Sequence, residues 1–243
     1  MKIIKLNAID STNTYLKNLS RETRPEDGLV VVANAQTNGR GQVGASWQSK
    51  EGESLTFSVF KSFNSLPISA HATVLFTTAI AIKEALEQLN ISNIEIKWPN
   101  DILAGGKKCC GVLIENQLQQ DTIATAIVGV GLNVNETEFD ELPQATSLHL
   151  ASGCIFNLDD VLQHVSKILL KHLSEIERFS SEEIKTKYEA SLFKKGVVST
   201  FETPNGNQFS GIIRGVKDNG ELIVEKEQDV IKTFEVKQIR LLY

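Results

Sequence analysis

The sequence predicts an α+β protein, a sheet covered by helices and then a small all-β unit. Three observations lead there. Short β-branched or alternating runs recur through the first 133 residues, as strands require. A long apolar stretch, Ile68 to Leu89, repeats at helical spacing. The last fifty residues change to brief alternating runs broken by Pro204–Asn205–Gly206 and Asp218–Asn219–Gly220, which reads as a β barrel or meander. A boundary near Lys194–Gly196 divides the chain into 1–193 and 194–243.

Taken in order, "KIIKL" reads as a strand. In "DSTNTYLKNLS", Asp10, Ser11 or Thr12 can cap a helix whose apolar face includes Tyr15, Leu16 and Leu19. "LVVVANA" (Leu29 to Ala35) and "SLTFSVF" follow as strands. In the latter, Leu55, Phe57 and Val59 face one way and Thr56 and Ser58 the other. Ser69 is the expected cap of the apolar helix. Ala72, Leu75, Ala79, Ile82, Leu86 and Leu89 form its stripe, which should lie deep against a sheet. The segment from Ile94 to Asn135 reads as strands joined by tight turns. Gly105–Gly106 suits a two-residue hairpin because both positions can take positive φ, and "NQLQQDT" marks a second turn. Leu158–Phe179 and Ser181–Leu192 read as helices.

Composition excludes several classes. The net charge is −5 over 243 residues, and the basic residues are scattered, so no footprint for a nucleic-acid backbone stands out. No apolar run is long enough to span a bilayer, and "MKIIKLNAID" lacks the apolar stretch of a signal peptide. The three cysteines, Cys109, Cys110 and Cys154, form no C-x-x-C and suit buried, reduced thiols in a cytoplasm. There is no G-x-S-x-G elbow and no P-loop, and the four histidines lack zinc-ligand spacing.

"NGRGQVGASW" does contain G-x-G-x-x-G at Gly39, Gly41 and Gly44. A dinucleotide site would need a helix next, but Gly52 and then a strand pattern follow, so a Rossmann dehydrogenase is disfavoured. What remains is a glycine-rich loop carrying Arg40, whose backbone amides and guanidinium suit a carboxylate or phosphate. Trp47 at its end either covers a planar group or docks on the core. In "KWPND", Asn100 and Asp101 stand at a strand end, either aimed at a ligand or closing an Asx turn. Lys107 and Lys108 follow the Gly–Gly turn and alternate in direction. One can reach inward to stabilise a developing anion, and parity alone does not choose which.

The order "DSTN", "QTNGRGQVGASW", "KWPNDIL", "KKCCGVLIE", "GVGLNVN" resembles the biotin–protein ligases over nearly the whole chain. It resembles the ligase-only class, since regulator-type members carry an N-terminal winged helix. The resemblance implies a mixed or antiparallel sheet with packed helices, related to class II aminoacyl-tRNA synthetases, and a C-terminal SH3-like barrel. It implies that biotin is converted with ATP and Mg²⁺ to biotinyl-5′-AMP and passed to a lysine of a biotin carboxyl carrier domain, in the cytoplasm, by a monomer or homodimer with no DNA or membrane partner. It places Ser11, Thr12 and Gln36 at the biotin ureido end. Gly39, Arg40 and Gly41 belong to the closing loop, and Trp47 lies over adenine. Asn100, Asp101 and Asn133 fall on the nucleotide side. Lys108 stands beside the reacting carboxyl and phosphate, and Gly111 is where ligand approaches the strand. No protein ligand to a metal is implied. Arg40 and Lys108 are the expected catalytic pair. Many relatives read G-R-G-R where Gln42 stands here, so weaker retention of the adenylate is expected. A lipoate or octanoate ligase or transferase of the same fold is the alternative, although its Arg-Arg-x-Ser-Gly-Gly-Gly signature is missing. A non-enzymatic binding module is a further rival, which a salt-dependent shift with DNA would favour.

Overall fold

The computed structural model describes residues 1–139 and 142–243. Period-two patterning builds a seven-stranded mixed sheet from β1 (Ile3–Ile9), β2 (Val30–Gln36), β3 (Ser54–Ser62), β4 (Ile94–Lys97), β5 (Asp101–Ala104), β6 (Lys107–Gln119) and β7 (Thr122–Asn133). The spatial order is β1-β2-β3-β7-β6-β5-β4. Among the described strands of this sheet, only β1 and β2 pair in parallel. Such a pair needs a crossover, and α1 (Thr12–Glu22) supplies it. The other neighbours are antiparallel, so tight turns suffice. Gly105 and Gly106 both take positive φ between β5 and β6, as expected for that hairpin.

Alternate residues of β2 feed opposite faces. Val30 and Val32 join the main core, while Val31 packs with Leu16 of α1, Phe60 and Ile127. The main core lies between the sheet and α2 (His71–Gln88), α4 (Leu158–Glu175) and α5 (Ser181–Ala190). In α2, Ala72, Ala79, Ile82 and Leu86 are buried, and Leu75 and Leu89 pack at the margin. Ser69 does not cap this helix. It lies within a 3₁₀ turn, Ile68–Ala70, that leads from Pro67 directly into α2, so Ala70 holds the cap position without a side-chain bond. Asn157 and Ser180 do cap α4 and α5, Ser180 with Glu183 in a reciprocal capping box. The short α3 (Leu148–Ser152) has no counterpart in the sequence reading; Ser147 caps it. Cys109 and Cys110 are buried as expected, but Cys154, just after α3, is exposed.

β8 (Val198–Glu202), β9 (Gln208–Val216), β10 (Leu222–Glu225), β11 (Ile231–Phe234) and β12 (Arg240–Leu242) form a second, antiparallel sheet in the order β11-β10-β9-β8-β12. Phe201, Ile213, Leu222 and Ile239 belong to the same apolar cluster as the first sheet. Polar ties reinforce that seam. The Val216 amide donates to Glu189 Oε1 (2.9 Å) and Trp98 Nε1 to the Gly220 carbonyl (2.8 Å). No helix among the described residues is long and apolar enough to cross a membrane.

Candidate active site

The face of the sheet beneath α1 changes character along its strands. On β7 the residues facing that side run Ile127, Gly129, Gly131; opposite them on β6 stand Glu115, Leu113 and Gly111. Side-chain bulk vanishes where a floor is needed. A Cβ at Gly129 would overlap the Asn13 carboxamide, and one at Gly131 would overlap the Trp47 ring. A Cβ at Gly111 would lie 2.9 Å from Trp47 Cζ3. The indole therefore rests flat against bare backbone within a cavity of about 570 Å³. Its Nε1 is buried without a hydrogen-bond partner in the protein, as are Arg40 Nε and Gln42 Oε1. Buried polar atoms are normally paired, so three such atoms on one loop are the mark of a surface prepared for a ligand.

The inward lysine is Lys108, and a β-bulge selects it. Ile102 pairs with Cys110 but Leu103 pairs with Lys108, leaving Cys109 as a surplus residue on β6. The bulge reverses alternation and brings Lys108 onto the side of Gly111, with Nζ 3.4 Å from where a Gly111 Cβ would stand. Lys107 is exposed. Lys108 Nζ binds Asp101 Oδ1 at 2.6 Å and sits 5.4 Å from the Trp47 ring centre. Lys97 Nζ reaches the other Asp101 oxygen at 3.3 Å. One carboxylate thus holds two ammonium groups, leaving a net positive charge. Asn100 does not point freely at a ligand: its Nδ2 donates to the Val112 carbonyl (2.6 Å), and its own carbonyl accepts from the Val112 amide. The strand end is braced by Tyr188, whose buried hydroxyl donates to the Pro99 carbonyl (3.0 Å). The Trp98–Pro99 peptide is cis.

At the start of α1 the chemistry is neutral. Ser11 is the N-cap residue but its side chain makes no cap bond. Gln36 Oε1 accepts from the Thr12 amide (2.8 Å) and hydroxyl (3.2 Å), and the Thr12 and Ser58 hydroxyls are 2.7 Å apart. Ser58 Oγ donates to Asn13 Oδ1 (2.6 Å). Arg40 reaches this neighbourhood through Glu115, at 2.8 Å.

Of the residues expected from sequence, Ser11, Thr12, Gln36, Arg40, Gly41, Trp47, Asn100, Asp101, Lys108 and Gly111 line the one cavity. Two do not. Gly39 stands behind the loop, where a Cβ would overlap the Trp47 carbonyl oxygen, and Asn133 is buried with its amide on the Thr146 carbonyl (3.0 Å). Sequence reasoning missed Asn13 and Lys97, which line the cavity, and Glu202 and Arg240 of the second sheet, which border it. Lys97 was visible as the first letter of "KWPND"; the other three join the cavity only through long-range folding. No group of three or more His, Cys, Asp or Glu able to hold a metal ion forms among the described residues.

The sequence model of the biotin/lipoate A/B protein ligase family matches residues 6–133. The bifunctional ligase/repressor BirA of Bacillus spizizenii is 32% identical over 237 residues, covering 96% of this chain and 72% of that protein. The chain belongs to the biotin/lipoate A/B protein ligase family. A biotin--[acetyl-CoA-carboxylase] ligase of Mycobacterium tuberculosis is 28% identical over 224 residues, covering 88% of this chain and 80% of that one. Among solved structures, a biotin protein ligase from Aquifex aeolicus in complex with biotin and ATP matches with a TM-score of 0.79 at 29% identity, covering 99% of this chain and 98% of that one. The segment matched by the family model, β1 to β7, includes the glycine floor, the Arg40 loop and Lys108, whereas Glu202 and Arg240 lie beyond it.

Proposed function

We propose that this family member activates biotin with ATP to biotinyl-5′-AMP and transfers biotin to a lysine of a biotin carboxyl carrier domain. One observation carries the reading. A neutral hydrogen-bonding group and a cationic group share one cavity over a glycine floor. They are set apart by the step from Gly129 to Gly131, about 7 Å along a strand. A ureido ring wants donors and acceptors without charge, and Ser11, Thr12 and Gln36 offer them. The dithiolane of lipoate offers no hydrogen bonds to exchange with these groups, whereas a ureido ring does, so biotin fits better than lipoate or octanoate.

In the first step a biotin carboxylate oxygen attacks the α-phosphorus of ATP. The new C–O–P link forms as the bond to the β-phosphate breaks and pyrophosphate departs. Two anions must approach, so alignment and charge neutralisation do most of the work. Lys108 and Arg40 are the catalytic candidates, and Lys97 adds charge beside them. Trp47 would cover the adenine, with Gly41, Asn100, Asp101 and Asn133 on the nucleotide side; Asn133 acts there through the backbone it braces. Gly39 shapes the loop, and Gly111 leaves room at the strand. Mg²⁺ would arrive on the nucleotide, held mainly by phosphate and water, with Asp101 beside it. In the second step the carrier lysine's amine attacks the acyl carbon and AMP leaves. The working division is a ligase unit, 1–193, with a smaller unit, 194–243, in a cytoplasmic monomer or homodimer that has no DNA or membrane partner.

The test is pyrophosphate release on mixing the protein with ATP, Mg²⁺ and biotin without carrier, with lipoate in parallel. Release driven by biotin is expected. Release driven by lipoate alone, or none with either acid, would overturn the assignment.

A further inference from the structure

We propose that Glu115 is a positioning residue that fixes the Arg40–Trp47 loop over the cavity and aligns Asn13 at its neutral end. Glu115 lies on the floor side of β6, with its side chain 21% exposed. Its Oε2 accepts from Arg40 Nη2 (2.8 Å) and Asn13 Nδ2 (3.1 Å), and its Oε1 accepts from Lys17 Nζ (3.0 Å). Three distant segments, α1, the loop and β6, converge on one carboxylate. Asn13 also accepts from Ser58 Oγ, so its amide is held from both ends and its orientation is set.

The charge count explains why this contact is more than a brace. Two cations meet one carboxylate, leaving one positive charge for an incoming anion. Glu115 uses only one face of the guanidinium, and Arg40 Nε remains buried and unpaired. Among its described side chains the loop has few other anchors. Its backbone ties are internal, Trp47 N to Gly39 O and Gly41 N to Ala45 O, and the loop's own turn cannot hold it to the sheet. Outside that turn, and among the described side chains, the indole on Gly131 and the ion pair at Glu115 bind it down, while the Asn38 amide holds its entrance to the Asp10 carbonyl (2.9 Å). Burial alone would raise the Glu115 pKa, but hydrogen bonds from Lys17 and Asn13 and the Arg40 charge hold it below its ordinary value of 4.5, so the carboxylate is present at any assay pH near neutrality.

The kinetic half of the test rests on the ligase reading; the structural half does not. In a Trp98→Phe background, acrylamide quenching of Trp47 is measured without ligands for Glu115→Gln, Arg40→Gln and the double variant, and tryptic cleavage after Lys50 is followed in the natural background. Each single variant is expected to raise quenching at least twofold and to speed cleavage, with the double variant no higher than Arg40→Gln. Dissociation of preformed biotinyl-AMP is expected to accelerate about tenfold in Glu115→Gln, again without multiplying in the double variant. Unchanged quenching and cleavage in Glu115→Gln overturn the proposal. So do effects that multiply fully in the double variant, or that follow a fallen melting temperature instead of Arg40. If the parent protein forms no adenylate yet the quenching pattern holds, the ligase reading fails and the positioning role stands. If adenylate forms normally and the loop does not respond to Glu115, the reverse is concluded.

Discussion

The two groups above Gly129 and Gly131 use opposite strategies on the same floor. Around Gly129, hydroxyls and amides hydrogen-bond one another and carry almost no charge. Around Gly131, lysines crowd a single carboxylate under an aromatic ring. The neutral group is already satisfied internally, so it recognises by shape and by exchange of matched hydrogen bonds. The cationic group is under-neutralised and gains most when an anion arrives. Recognition and activation should therefore separate under mutation.

Lys108→Ala should break that contrast most. The variant should fold, because Lys108 is at the cavity and not in the core, yet lose at least tenfold in adenylation, about 1.4 kcal/mol of barrier. Full pyrophosphate release in that variant would remove its assigned role. Gly131→Ala comes next. Its methyl would push Trp47 off the floor, so the KM for ATP should rise severalfold with a smaller change for biotin; an unaltered ATP KM would show that the indole does not serve the nucleotide. Thr12→Val removes hydrogen bonds to Gln36 and Ser58. It should raise the KM for biotin a fewfold and leave kcat near the parent value, a split that steady-state kinetics can deny. Gln42→Arg adds a charge beside Arg40 and should slow release of bound adenylate; equal off-rates reject it. The smallest effect concerns acid. Because the folded pKa of Glu115 is depressed, its contribution to stability is complete above the unfolded value near 4.5 and fades as pH falls through the lower folded one. The melting-temperature gap between parent and Glu115→Gln should therefore shrink in that window, and a constant gap would contradict it.

Much of the fold could be read locally. The Gly105–Gly106 hairpin follows from the φ values only glycine takes freely, and α2 follows from its apolar spacing. Ser69 misled because a 3₁₀ turn satisfies the helix entrance before a hydroxyl is needed. The short α3 offered too few residues for periodicity to register. Within the cavity, Arg40, Asp101 and Lys108 were legible because each stood in a short motif. The direction of Lys108 was not, since a bulge at Cys109 overrides alternation. Glu115 left one signal that could have been used: an acid on an apolar strand, two and four residues from Leu113 and Gly111 on the same face. Its partners are 75 to 102 residues away in sequence, a separation at which local patterning carries no information.

The surplus residue at Cys109 has a consequence of its own. The reach of Lys108 into the cavity is encoded by its pairing with Leu103, not by what the extra residue is. Cysteine there is replaceable by another small apolar residue, and deleting the position would leave Lys108 two residues from Gly111 on the same face; flattening the bulge while keeping the residue, so that Leu103 paired with Cys109, would swing the ammonium to the far side of the sheet. The register of the backbone is, in effect, an unseen member of the chemical machinery.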